Sequence, residues 1–272
     1  MDEIIIEPNK SLKRFWQELW SYRELFYFLA WKDILVRYKQ TVIGIAWSVL
    51  RPLLSMVILT VIFGGVAKLP SGNTPYPILV CAAILPWQFF SSILTLSGNS
   101  LVANRNMITK VYFPRIIIPS TSMVVSSVDF LIAFAILVCL MLWYGFWPNL
   151  KIFVLPALLL LAALTSLGVG YWIGALNVKY RDFQHIVPFI VRFGLYASPV
   201  GFSSSLVPEK WRLLYSLNPM VGVIDVFRWA LLGKEASLYL PGFLISIGLA
   251  IMLFISGAIF FTKTERKFAD II

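Results

Sequence analysis

The chain has 272 residues, 59% hydrophobic and only 13% charged, with a formal net charge of +10. A soluble domain carries about 25% charged residues, and a soluble surface this apolar would present large adhesive patches. The composition therefore excludes a water-soluble enzyme, and the absence of alternating ten-residue segments argues against an outer-membrane barrel.

The N-terminus opens "MDEIIIEPNK", acidic and short of apolar length, so no cleavable signal peptide is expected. Residues 10–39 follow as an amphipathic segment. Leu12, Phe15, Trp16, Leu19, Phe26 and Leu29 recur at three- and four-residue steps, with Lys13, Arg14 and Arg23 off the stripe. Such a helix is expected to lie flat in the membrane interface.

Six stretches reach the roughly 20 apolar residues needed to cross a bilayer: 42–66, 76–98, 116–145, 152–176, 186–207 and 238–262. Each must be helical, because lipid offers no partner to unpaired backbone groups. The fold class is an all-α integral membrane protein of one domain over 1–272.

Charge punctuates these spans. Arg51 lies about 13 Å above the start of the first, at 1.5 Å per residue, next to Pro52, which removes a backbone donor. Asp129 falls mid-way along the third span and Arg192 in the inner part of the fifth. The three charges form structural pairs or line a substrate path. In the fourth span Ser166, Gly170 and Gly174 make a small-residue face suited to close helix packing. Cys81 and Cys139 lie inside apolar runs and are expected to be buried or lipid-facing thiols.

The stretch 205–236 is too polar and too interrupted to span. Pro208 and Pro219 each read as a helix start. Trp211, Leu214 and Leu217, then Val223, Val226, Phe227 and Ala230, give two short apolar faces. A re-entrant helical hairpin before the last span is expected, since helix ends at membrane depth are tolerated where they line a cavity.

With both termini on the cytoplasmic side, fifteen Lys and Arg residues fall inside and six outside, leaving Arg51 and Arg192 within spans. The positive-inside rule thus accounts for the basic total without nucleic acid. The segment "NRNMITKVYFPR" (104–115) then faces the cytoplasm, with three basic residues and no acidic one.

Catalytic chemistry is sparse. There is no G-x-x-x-x-G-K-[ST] phosphate loop and no H-E-x-x-H. The glycines of "GVGYWIG" are misspaced for a dinucleotide site, no Cys/His cluster suggests a metal, and His185 is the lone histidine. A proton-driven carrier would show more ionisable residues in its spans. The chain reads as a passage whose energy source lies elsewhere.

"LPWQFFSSILTLSGNSLVANRNMITKVYFPRIIIPS" (85–120), "LNVKYRDFQHIVPF" (176–189) and "SPVGFSSSLVPEKWRLLYSLNPMVGVIDVFRWALLG" (198–233) resemble the ABC-2-type permeases that export O-antigen polysaccharide, and "RYKQTVIGIAWSVLRPLL" (37–54) resembles their first span. The resemblance covers nearly the whole chain. It implies a homodimer with two separate ATP-binding cassette subunits, ATP and Mg being held by those partners. It implies a substrate of polysaccharide on polyprenyl pyrophosphate, moved to the outer leaflet of a bacterial inner membrane. It places a coupling helix at 100–113, with Arg105, Met107, Ile108, Lys110 and Tyr112 meeting the ATPase. It places outer gate helices at 208–233, with Trp211, Tyr215, Phe227 and Trp229, and brings "KYRDF" near a cytoplasmic gate. On that reading Arg51, Arg192 and Arg181 face an inner vestibule for the pyrophosphate, and Trp47, Trp87, Phe89, Phe90 and Tyr196 supply ring surfaces for sugars. The alternatives are an ABC-2 permease for teichoic acid, capsule or a non-glycan lipid or drug, and a membrane glycosyltransferase, for which Glu209, Asp225 and Glu235 are sparse acidic candidates.

Overall fold

The computed structural model describes residues 20–39, 44–72, 74–147, 150–233, 238–265 and 268, with backbone only at 44, 45 and 181. Among them every regular element is helical. In chain order the α-helices are α1 (Arg23–Lys39), α2 (Gly44–Leu59, continued by a π-helix Thr60–Val66), α3 (Tyr76–Ala103), α4 (Arg105–Ile108), α5 (Ile117–Trp143), α6 (Leu155–Lys179), α7 (Ile186–Tyr196), α8 (Glu209–Tyr215), α9 (Pro219–Leu232) and α10 (Leu240–Thr264).

Among the described residues five helical stretches are long and apolar enough to cross a membrane: Ala46–Val66, Tyr76–Ala103, Ile117–Trp143, Leu150–Lys179 and Leu240–Thr264. The segment 186–207, expected as one continuous span, is built differently. Its helix α7 has 11 residues, only about 16 Å. Pro199, which lacks a donor and disfavours helix in the residue before it, lies in the turns that follow. The segment nevertheless follows α3 along most of its length. Val187 packs at Gly98, Gly194 gives room to the Trp87 ring, and the Tyr76 hydroxyl donates to the Gly201 carbonyl at 2.6 Å.

α3 is the axis of the bundle, with buried residues from Ile78 to Leu101. α6 closes on it through the expected small face. A Cβ at Gly170 would collide with the Ser97 side chain, and one at Gly174 would lie 3.2 Å from the Ser97 carbonyl oxygen. Asn177 at the foot of α6 donates to the Gly98 carbonyl at 3.2 Å. On its other side α6 meets α10, where Trp172 stacks on Phe260 at 4.0 Å. Cys81 is buried and Cys139 exposed, both as free thiols.

α1 does not lie across the foot of the bundle over its whole length. Asp33 accepts from Thr121 at 3.5 Å, and Arg37 and Tyr38 reach Asp129. Thr121 and Asp129 are eight residues apart on α5, about 12 Å of rise, so the C-terminal half of α1 climbs beside α5. Leu29 is buried and Phe26 partly so, while Trp20, Tyr27, Phe28 and Trp31 stay exposed on the other side. Leu12, Phe15, Trp16 and Leu19 of the expected stripe lie outside the described residues.

Because α1 takes up the lower part of this flank, α2 begins at mid-height. Ser48 meets Asp129, and Arg51 shares a cavity wall with Leu85 and Ala133. Arg51 therefore stands near the middle of the bundle, higher than its distance from the start of an uninterrupted span suggested.

Candidate functional site

A cavity of about 530 Å³ opens between the end of α1, α2, α3 and α5, a volume in the range of small-molecule sites. Its α3 wall carries Gln88, Ser91, Ser92 and Thr95, and α5 adds Ser126. Hydroxyls survive on these helices because they bond back to the chain. Ser91 donates to the Gln88 carbonyl at 3.1 Å, Thr95 to the Ser91 carbonyl at 2.7 Å, and Ser126 to the Ser92 hydroxyl at 2.9 Å. With those protons used locally, the oxygens of Ser91 and Thr95 can still accept from a ligand.

Asp129 is the acidic centre of the cavity. Arg37 Nη2 approaches one carboxylate oxygen at 2.6 Å. The other accepts from the Tyr38 hydroxyl at 2.5 Å and the Ser48 hydroxyl at 3.0 Å. All three donors come from the α1–α2 junction, so one side chain on α5 holds that junction in place. The sequence suggested Arg51 or Arg192 as the partner of Asp129, and the structure puts Arg37 there instead. Nothing in the sequence links positions 37 and 129, since Arg37 reads as an ordinary cytoplasmic flanking charge. Arg51 lines the same cavity and makes no ion pair among the described residues.

Arg192 stands apart. It is exposed on α7, on a stripe with Phe189, Phe193 and Tyr196 at helical spacing, the two phenyl rings 4.3 Å apart. Arg181 opens a 3₁₀ turn Arg181–His185 between α6 and α7, and its side chain lies outside the description.

The five aromatic candidates fall into three settings. Trp47 and Phe89 line the cavity. Trp87 and Phe90 are 4% and 6% exposed and lean on each other at 5.3 Å, which makes them core rather than wall. Tyr196 is exposed on α7.

The expected helix at 100–113 is divided. Residues 100–103 are the last turn of α3, α4 is a single turn, and the chain then leaves helical form. Asn104 makes the break: its amide donates to the Ser100 carbonyl at 2.9 Å while its oxygen accepts from Lys32 at 3.3 Å. Arg105, Lys110 and Tyr112 project outward. Met107 packs partly against the core, and Ile108 is buried at 3% exposure, so it anchors the loop rather than offering a contact. Arg115 ties the loop back to the end of α10, donating to the Glu265 carbonyl with its guanidinium over the Phe268 ring.

At the N-terminal end of α3 the chain folds into α8 and α9. Pro208 caps α8, and Pro219 is the first residue of α9, where Asn218 accepts from the Met220 amide. α8 leaves Trp211 half exposed, whereas α9 is buried along nearly its whole length. Phe227 is fully buried and stands edge-on to Phe130, a wall residue of the cavity. Trp229 lies under the Lys151 ammonium at 3.9 Å, and the Tyr215 hydroxyl is buried without a hydrogen-bond partner among the described residues. Arg228, one of the six Lys and Arg residues counted outside from sequence, is 3% exposed. It donates to the carbonyls of Leu79 (3.1 Å), Phe202 (2.7 Å) and Val200 (2.9 Å). Burial pushes the Asp225 carboxyl up to about 6 and the Arg228 guanidinium down to about 10, each charge partly offsetting the other's shift.

Comparison with known proteins agrees with this architecture. The family model described as ABC-2 type transporter matches residues 24–232, from α1 to the end of α9. The chain is similar to the O-antigen export system permease protein RfbA of Klebsiella pneumoniae, with 30% identity over 249 residues, 89% of this chain and 92% of that protein. RfbA of Myxococcus xanthus is 28% identical over 214 residues, covering 78% and 82%. The polysialic acid transport protein KpsM of Escherichia coli is 24% identical over 241 residues, covering 86% and 91%.

Proposed function

This chain belongs to the ABC-2 type transporter family, and on that premise we propose that it is the membrane permease of a polysaccharide exporter. It acts as a homodimer with two separate ATPase subunits, which hold ATP and Mg. Its cargo is a glycan on polyprenyl pyrophosphate, moved from the cytoplasmic to the outer leaflet of a bacterial inner membrane. The permease RfbA and the transport protein KpsM, with names that specify O-antigen and polysialic acid, support a glycan cargo. The chain itself then performs no hydrolysis.

The observation that carries the reading in this molecule is the cavity at mid-height, with hydroxyls, ring faces and an arginine that makes no ion pair among the described residues on one wall system. A sugar polymer needs acceptors and donors for its hydroxyls and flat faces for its rings. An anionic headgroup needs a fixed cation in a setting of low dielectric, and a guanidinium binds phosphate in two-point fashion. Arg51 has that role, with Arg192 and Arg181 along the α7 side of the path.

The topology consistent with this function takes six crossings: the five long helices and the segment 186–207 beside α3. An even number returns both termini to the cytoplasmic side, as the distribution of Lys and Arg requires. α1 then enters from the inner interface, 104–115 faces the ATPase through Arg105, Lys110 and Tyr112, and α8–α9 close the outer end as a re-entrant gate.

The test is reconstitution with the cognate ATPase in lipid. Polyprenyl-pyrophosphate glycan should stimulate ATP hydrolysis and appear in the opposite leaflet. Equal stimulation by lipids lacking a glycan would overturn the cargo assignment.

A further inference from the structure

The Asp129 cluster makes a ligand-exchange site, and this inference rests on the export reading above. We propose that Asp129 is an exchangeable counter-ion: the phosphate-bearing headgroup replaces it as the charged partner of Arg37 and thereby weakens the hold of α5 on the α1–α2 junction.

Three observations carry it. First, among the described residues the cavity is lined by two guanidinium groups and one carboxylate, a net positive wall when α1 is docked. Arg51 supplies the attraction for an incoming anion, because its charge is not committed to an acid among the described residues. Second, Arg37 is placed to change partners. Its side chain is 29% exposed, against 19% for Asp129, and it sits near the last turn of α1, close to the cavity wall. A phosphate offers it the same two-point geometry as a carboxylate. Third, Asp129 is not stranded when Arg37 leaves. The Tyr38 and Ser48 hydroxyls still donate to it, so the exchange avoids the large cost of an uncompensated buried charge. The link lost is the charged one between α1 and α5, and the junction, left with two neutral hydrogen bonds to Asp129, shifts more readily to widen the cavity.

The test uses the permease with its cognate ATPase in nanodiscs. Asp33 and Thr121 meet at 3.5 Å between α1 and α5. Cysteines there (D33C and T121C, with C81A and C139S) report the docked state as the rate of oxidant-driven disulfide formation. Polyprenyl pyrophosphate should slow cross-linking about tenfold, the ratio expected for loss of roughly one charge-assisted hydrogen bond. Neutral polyprenol should leave it unchanged. Inorganic pyrophosphate forms a third arm. Slowing by it as well as by the lipid means that the anion suffices, whereas slowing by the lipid and not by pyrophosphate means that the prenyl chain delivers the anion. Either result supports the exchange. Asp129→Asn and, independently, Arg37→Gln should slow cross-linking without any ligand, and Asp129→Glu should restore it. An unchanged rate while the same sample's ATP hydrolysis responds to the lipid would overturn the exchange and leave the export reading standing. Failure of both hydrolysis and cross-linking to respond would remove both.

Discussion

Gly168 on α6 and Gly257 on α10 meet backbone to backbone. A Cβ at Gly257 would run into the Gly168 carbonyl, and one at Gly168 would lie 2.5 Å from the Leu253 carbonyl carbon. Neither obstacle is a flexible side chain that can turn away. Gly168→Ala or Gly257→Ala should therefore destabilise the protein by about 1–3 kcal/mol through overpacking. Gly248, on the same helix α10, has open space around it, and Gly248→Ala should be neutral or slightly stabilising by helix propensity. Thermal unfolding of the purified protein in detergent measures all three, and an equal loss in each would refute the contact.

Arg228 clamps α9 in place. It joins α9 to Leu79 on α3 and to the non-helical carbonyls of Val200 and Phe202. Arg228→Met removes every one of these donors and leaves Asp225 buried without its neighbouring cation, a loss of about 3–5 kcal/mol. Arg228→Lys should rescue little, because a point-like ammonium does not span three carbonyls as a planar fork does. The readout is unfolding together with protease sensitivity at 197–207.

The loop at 104–115 separates two kinds of residue that neighbour one another in sequence. Reversing Arg105 and Lys110, both exposed, should weaken copurification with the ATPase and leave folding intact. Ile108→Ala should do the opposite, costing about 2–5 kcal/mol as a buried truncation while the exposed charges stay in place. Copurification unchanged in the charge-reversed double variant would exclude these residues from the contact.

Arg51→Gln should raise the lipid-glycan concentration giving half-maximal ATPase stimulation by about tenfold, the weight of one charge-assisted bond, with basal hydrolysis near normal. Arg192 lies outside the lining of the cavity, on the exposed stripe of α7. Effects at the two positions should therefore add in the double variant, as expected for independent sites. A half-stimulating concentration unmoved in both single variants would return both arginines to structural roles.

Trp47 and Trp87 make a matched pair of opposite prediction. Trp47 is 49% exposed on the cavity wall, so Trp47→Ala should slow export with little change in stability. Trp87 fills the contact with Gly194, and Trp87→Ala should cost about 3–5 kcal/mol of stability. Transport assays and unfolding on the same preparations distinguish wall from core.

Five of the long helices, the small-residue face at Gly170 and Gly174, the prolines that begin α8 and α9 and the family itself were legible in the sequence. Those features are local. Apolar length, side-chain size and missing backbone donors act within a few residues of one another, and the membrane removes every alternative to helix. The partner of Asp129, the burial of Arg228 and the inward turn of Ile108 were not legible, because each depends on which helices become neighbours. A charge read along the chain has only a depth, and Arg37, Arg51 and Arg228 look alike by that measure. Tertiary packing decided between them. α1 climbs beside α5 and brings Arg37 to Asp129, α2 starts at mid-height and leaves Arg51 on an open wall, and α9 closes over Arg228 with three carbonyls as its solvent.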